Sequence, residues 1–129
     1  LRQGGARRPH AQGRRRVTAG SRRKGATAER DVTAWLRANG WPWAERRAGG
    51  TPGPDITGCP GIAWEIKNAA RLELAAWVDQ AEAQRATSGA HVAPLVIKRK
   101  GTTDPGRWYA VLPLEHLARL LADAGWAKP

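Results

Sequence analysis

The sequence predicts an α/β fold: a mixed β-sheet flanked by helices. Three observations carry that expectation. Two stretches of helical apolar spacing end at glycines, Gly40 and Gly89, and a third such stretch closes the chain. Three short segments suited to strands lie between the first and second helices, and two more lie between the second and third. An antiparallel set, a crossover helix and a further strand together make a sheet of mixed direction with helices packed on it. The predicted order is α-β-β-β-α-β-β-α.

Each element has its own signal. GATAERDVTAWLRANG, residues 25–40, reads as a helix whose inward stripe holds Val32, Leu36 and, one turn earlier, Glu29. Gly40 is a suitable C-terminal stop. WAERRA, residues 43–48, suits a strand, and GGTPGP after it a loop. DIT and IAWEIK read as two strands around the turn GCPG. LELAAWVDQAEAQRATSG is the second helix, with Leu74, Trp77, Val78 and Ala81 at helical spacing. HVAPLVIK reads as a buried strand and RWYAVL as another, and LEHLARLLADAG is a helix with Leu114, Leu117, Ala118 and Leu121 in register.

Composition narrows the function classes. A chain of 129 residues, 41% hydrophobic, is long enough for one domain with a core rather than two. No apolar run approaches the roughly 18 residues of a membrane span, and no secretory signal is evident, so a membrane partner is not expected. Cys59 is the lone cysteine, which excludes an intramolecular disulfide and a multi-cysteine zinc site. No two of His10, His91 and His116 have metal-ligand spacing, and AGGTPGP lacks the G-K-[ST] of a P-loop. The expected setting is reducing and cytoplasmic.

The formal net charge is +11, and its distribution matters more than its size. Residues 1–24 carry nine basic side chains and no acidic one, whereas residues 25–129 are near balance, with 13 basic and 11 acidic. The first segment has few large apolar residues and reads as a disordered basic tail. It suits a polyanion-binding arm held by counterion release, or alternatively a solubilising extension. Residues 25–129 form the expected domain.

PDITGCPGIAWEIKN, residues 54–68, concentrates the chemistry. Alternation puts Glu65 and Lys67 on one face of a strand and Ile66 on the other. If GCPG closes a tight hairpin, Thr57 pairs with Ala63 and Asp55 lies across from Glu65, with β-carbons about 4.5–5.5 Å apart. Two carboxylates that close repel unless a cation sits between them. Hard oxygen donors at this density suit Mg²⁺, with Mn²⁺ as a substitute. Glu29, on an otherwise apolar stripe, also needs a partner. The chemistry that follows is metal-assisted phosphodiester hydrolysis, with Lys67 stabilising developing charge. The alternative is a set of surface salt bridges on a solvated sheet face.

PD followed by E-x-K resembles the PD-(D/E)xK nuclease superfamily. The wider stretches KGATAERDVTAWLRANG, ERRAGGTPGPDI and AWEIKN resemble the archaeal-type Holliday junction resolvases and their phage relatives, over about Arg23 to Lys98. The resemblance implies a restriction-endonuclease-like fold in which Asp55, Glu65 and the Ile66 carbonyl ligate Mg²⁺. It implies Lys67 as the catalytic lysine and Glu29 as a further metal or water ligand. Thr51 stands near a loop serine of such resolvases, so contact with the scissile phosphate is implied, although threonine in an extra-glycine loop departs from the pattern. Gln80 either faces the site, as a glutamine does in several branches, or is an exposed helix residue.

Other residues extend this reading to DNA. Of Arg46 and Arg47, strand alternation sends one toward phosphates and the other away. Arg23, Lys24 and Lys98 fit a DNA track, the last with Arg99 and Lys100; a solvated charge run is the competing reading. Trp41 and Trp43 can stack on bases or pack, while Trp108 and Tyr109 fill the core or a dimer seam. The expected function is a junction resolvase acting on branched DNA, with flap, nick or sequence-specific cleavage, or binding without catalysis, as alternatives. Two symmetric cuts call for a two-fold homodimer, expected through Trp108, Leu117 and Leu121. Arginine exceeds lysine by 17 to 5, which suggests a GC-rich genome; a nucleoid-associated location follows, in the host cytoplasm if the chain is phage-encoded.

Overall fold

Ala28, Val32, Thr33 and Leu36 are the buried residues of the first helix, spaced to bring one face onto a sheet. In the computed structural model, which describes residues 19–128, this helix is α1, Ala19–Ala38. It begins six residues before the predicted start, so residues 19–24 of the expected disordered segment are helical. Alanine, arginine and lysine are strong helix formers and extend the helix at little cost. The remainder of that segment lies outside the described residues. Gly40, at φ 116°, ends α1, and the Trp41 N–H reaches back to the Leu36 carbonyl at 3.0 Å, a glycine-closed helix end.

The elements that follow are β1 (Glu45–Arg46), β2 (Ile56–Thr57), β3 (Glu65–Lys67), α2 (Leu74–Ser88), β4 (Leu95–Ile97), β5 (Tyr109–Val111) and α3 (Leu114–Asp123), with a 3-10 turn at Pro105–Arg107. The fold is mixed α/β, but the strands form two small sheets rather than one. β1 and β2 pair antiparallel; the other sheet has the order β3-β4-β5, parallel then antiparallel.

The reason for the division lies at Pro54. An isolated antiparallel bridge joins Ile56 to Trp64, in the register that sets Asp55 opposite Glu65. The Asp55 N–H also donates to the Trp64 carbonyl at 3.0 Å, so β2 is irregular here. Beyond it Pro54 has no N–H to donate. Its carbonyl instead accepts from Arg47 Nε at 2.7 Å, and the Ile66 N–H goes to Asp55 Oδ2 at 2.7 Å. The ladder stops where the acidic residues stand.

Two cores flank β3. On one face Ile66 joins Val32, Leu36, Ile56 and Val96 under α1; on the other Ala63 and Ala93 pack against Ala81 of α2. Gly89, at φ 72°, closes α2. Of the predicted α2 stripe, Trp77 and Ala81 are buried, but Leu74, at the helix start, is exposed.

α3 departs further from expectation. Leu114, Leu117, Ala118 and Leu121 all lie exposed, and the buried residue is His116. Arg119 Nη2 fastens the helix by donating to the His91 carbonyl at 2.8 Å, while buried His116 Nδ1 and Glu82 Oε2 lie 3.5 Å apart without a hydrogen bond. Leu114, Leu117 and Leu121 therefore face solvent, while Leu120 is half-buried. Trp108, expected in the core or at a dimer seam, is in the core, its indole N–H donating to the Thr102 carbonyl at 3.0 Å. Trp41 packs edge-on against Trp64, whereas Trp43 is exposed. Among the described residues no helix is long and apolar enough to cross a membrane.

Candidate active site

The backbone of β3 orients the site. The Glu65 N–H donates to the Pro94 carbonyl and the Lys67 carbonyl accepts from the Lys98 N–H, so these two residues turn their peptide groups toward β4. Ile66, between them, turns its own to the opposite edge, where its N–H meets Asp55. The Ile66 carbonyl shares that edge, facing a chain that at Pro54 has no N–H to offer it. Proline before aspartate thus leaves one backbone oxygen beside the carboxylate.

Side chains alternate the other way. Glu65 and Lys67 project onto the α2 face and meet Gln80. Lys67 Nζ donates to Gln80 Oε1 at 3.0 Å, and Gln80 Nε2 donates to Glu65 Oε2 at 3.1 Å. Lys67 Nζ also lies 3.6 Å from Glu65 Oε2 and 5.9 Å from the centre of the Trp77 ring. Gln80 is an exposed helix residue, as one of its two readings has it, and its amide at the same time ties the lysine to the glutamate.

The electrostatics of the acids follow from burial. Glu65 is 4% exposed, and its carboxyl is pushed up to about 7, first by desolvation and next by the charge of Asp55. Lys67 pulls it down, by its charge and a hydrogen bond, without cancelling the rise. The Asp55 carboxyl is also raised, by burial above all; the Ile66 N–H opposes the shift and Glu29 adds to it. Two carboxyls that hold protons this tightly are short of positive charge.

Glu29 enters from the α1 side. It lines a cleft of about 350 Å³ with Asp55, Thr51, Arg46 and Arg47, which brings these five of the predicted residues together, whereas Glu65, Ile66, Lys67 and Gln80 do not line it. Its Oε1, however, accepts from Arg46 Nε at 2.7 Å. Among the described residues no three of His, Cys, Asp and Glu form one metal-ligating group. The geometry explains this: Glu65 stands on the α2 face, Glu29 comes from α1 on the other, and Asp55 sits at the edge between.

Arg46 and Arg47 both line the cleft, but their guanidinium groups part: Arg46 bonds Glu29 of α1, whereas Arg47 bonds the Pro54 carbonyl and also lines a cleft beside Gln80 of α2. The Arg47 N–H donates to the Asp55 carbonyl at 2.9 Å, so the antiparallel pairing with the β2 side runs on to Arg47. Its guanidinium folds back over Gly53, where an added β-carbon would lie 2.5 Å from Nη2. Arg23, Lys24 and Lys98 line a separate groove of about 760 Å³ with Ser21, Thr27 and Asn68. It lies alongside the first turns of α1 that the sequence reading had assigned to the tail. Sequence reasoning left unassigned a third cleft, of about 410 Å³, in which Arg47 and Gln80 meet Gln84, Thr87 and Ser88. The i, i+4 spacing of Gln80 and Gln84 was its available signal.

Asp55 and Glu65 are the hard oxygen donors of the site that could hold a divalent cation, with the Ile66 peptide at the same edge. Protein-family models, curated proteins and solved structures compared with the chain yield no match.

Proposed function

We propose that the chain is a Mg²⁺-dependent DNA endonuclease of the PD-(D/E)xK type, built on a restriction-endonuclease-like core, and that its substrate is a four-way junction. The observation that supports this best is the joining of Asp55, Glu65 and Lys67 at a broken strand pairing, with the Glu65 carboxyl pushed up to about 7. A structural ion pair has no need of the second acid.

Asp55, Glu65 and the Ile66 carbonyl would hold the cation. When bound, it supplies a Lewis acid for the phosphodiester and a water acidic enough to attack near neutral pH. Lys67 stands beside that chemistry, its Nζ 3.6 Å from Glu65 Oε2. Held by Gln80 at 3.0 Å, it is positioned to stabilise negative charge as it develops on phosphate oxygens. Arg46, Arg47 and Thr51 line the cleft through which a phosphate backbone would reach Asp55, and Arg23, Lys24 and Lys98 continue the track. Symmetric cutting calls for a two-fold homodimer. The exposed Leu117 and Leu121 of α3, next to Leu114, are the apolar face that supports it. Buried Trp108 takes no part.

The test is cleavage of a fixed four-way junction beside linear duplex, flap and nicked DNA, with and without Mg²⁺. Paired Mg²⁺-dependent nicks in the junction alone are the expected result. Equal cutting of flaps or duplex would change the substrate and keep the site. DNA binding without any Mg²⁺-dependent cut would reduce the chain to a binding module.

A further inference from the structure

Arg46 and Glu29 satisfy one another, although each has a second use in the same cleft. Their 2.7 Å contact is partly buried, with side chains 30% and 20% exposed. The pair is not isolated from the acids on β3. The charge of Glu29 raises both Asp55 and Glu65, while that of Arg46 lowers Asp55. The third acid is therefore within electrostatic reach of the other two but committed to an arginine.

Exchange of partners here is costly if done by halves. Removing one member of a partly buried ion pair leaves the other charge uncompensated. A phosphate in the cleft can take Arg46, and a divalent cation at Asp55 and Glu65 can take Glu29. Only when both arrive does every charge keep a partner.

We propose that Arg46 holds Glu29 in reserve, and that a DNA phosphate, by drawing Arg46 away, releases Glu29 toward the cation held by Asp55 and Glu65. DNA and metal then strengthen each other's binding reciprocally. This deepens the nuclease reading and rests on it. It also accounts for the separation of the three acids: the site is assembled fully only on substrate, so a free cation gains little from the protein alone.

The experiment reads Mn²⁺ affinity rather than activity. Free Mn²⁺ is followed by electron paramagnetic resonance on the full chain carrying Lys67→Ala, so that DNA stays uncut, with and without saturating four-way junction. The same titration with Asp55→Asn added subtracts metal held by DNA alone. The junction should tighten Mn²⁺ on the order of 5- to 150-fold, the usual range of coupling between sites. Adding Arg46→Gln should tighten Mn²⁺ without DNA and shrink the junction's effect. Adding Glu29→Gln should remove most of that effect. An Arg46→Gln chain with unchanged Mn²⁺ affinity, or a Glu29→Gln chain with the full junction effect, overturns the proposal. If Arg46→Gln does not fold, the Glu29→Gln arm decides alone. Were no Mn²⁺ bound that Asp55→Asn removes, the nuclease reading itself would fail, and the reserve role with it.

Discussion

The two ends of the β3-β4-β5 sheet break the ordinary sorting of residues in opposite directions. At the β3 edge a glutamate is 4% exposed; beyond β5, Leu114 is 78% and Trp126 80% exposed. The β3 edge compensates its buried polar groups internally, Asp55 with the Ile66 N–H, Glu65 with Gln80 and Lys67, Glu29 with Arg46. What is left over is repulsion between acids, which a bound proton or an added cation relieves. The α3 end has no such internal compensation: its helix is fastened by Arg119 while Leu114, Leu117 and Leu121 face outward. A buried charge with partners reads as chemistry, and an apolar face without them reads as an interface.

The largest effect expected from breaking the first half of this contrast is on cleavage. Asp55→Asn keeps an oxygen for the Ile66 N–H but removes the charge that Glu65 feels. Mg²⁺-dependent cutting should fall on the order of 10²–10⁴-fold with circular dichroism unchanged. The same substitution should lower the Glu65 titration, followed by carbon-13 NMR, because the Asp55 charge raises it. Lys67→Ala should cost a similar factor in cutting while junction binding persists. Loss of binding in step with cutting would refute that division of labour.

Stability should move the other way with pH. The Glu65 carboxyl titrates at about 7 when folded against 4.5 ordinarily, so between these values the folded chain keeps a proton that the unfolded chain releases. The favourable contribution is complete below about pH 4.5 and is lost as pH rises through about 7. Asp55, also raised, adds the same sign. Thermal melts should thus show the wild type losing on the order of 1–3 kcal/mol between pH 5 and pH 8. Glu65→Gln should flatten that slope. Cutting, which needs the ionised carboxylate, should rise over the window in which stability falls. A wild-type melt independent of pH would remove the electrostatic argument for a cation.

The fold class and the acidic site were legible in the sequence for different reasons. Period-two alternation put Glu65 with Lys67, and counting back from the GCPG turn set Asp55 opposite Glu65, because strand register is local arithmetic. The partners of Glu29 and Arg47 were not legible. Glu29 was read from its stripe as facing the sheet, but its bond to Arg46 spans 17 positions in sequence and depends on the short β1. α3 misled for a related cause. Its leucine spacing is that of any amphipathic helix, and the spacing cannot say which side the sheet lies on. Residues 19–24 were lost to composition: arginines that suit a disordered arm also suit a helix.

The second half of the contrast can be broken at α3. Leu117→Lys with Leu121→Lys should convert a dimer to a monomer in sedimentation while the melting temperature of the monomer stays close to that of wild type, since both side chains are already exposed. A large drop in melting temperature at low protein concentration would mean that the leucines pack within the chain. An unchanged sedimentation coefficient would place any dimer seam elsewhere.

The smallest effect concerns the groove of Arg23, Lys24 and Lys98, whose lining contains no acid, unlike the cleft in which Arg46 is already paired. Each lysine or arginine that neutralises a phosphate releases condensed counterions, so its loss should reduce the slope of log affinity against log salt by about 0.9 for duplex arms. Arg23→Ala and Lys98→Ala should each do this with little change in cutting at saturating DNA. Arg46→Gln should change the slope less in the absence of metal, because its charge is first taken up by Glu29. The comparison is sharp at Lys98, whose Nζ lies 5.5 Å from the centre of the Trp108 ring. That contact restrains the ammonium without neutralising it, so Lys98→Arg should keep the full slope. If Lys98→Ala leaves the slope untouched while Arg23→Ala reduces it, the track follows α1 alone and does not cross to the end of β4.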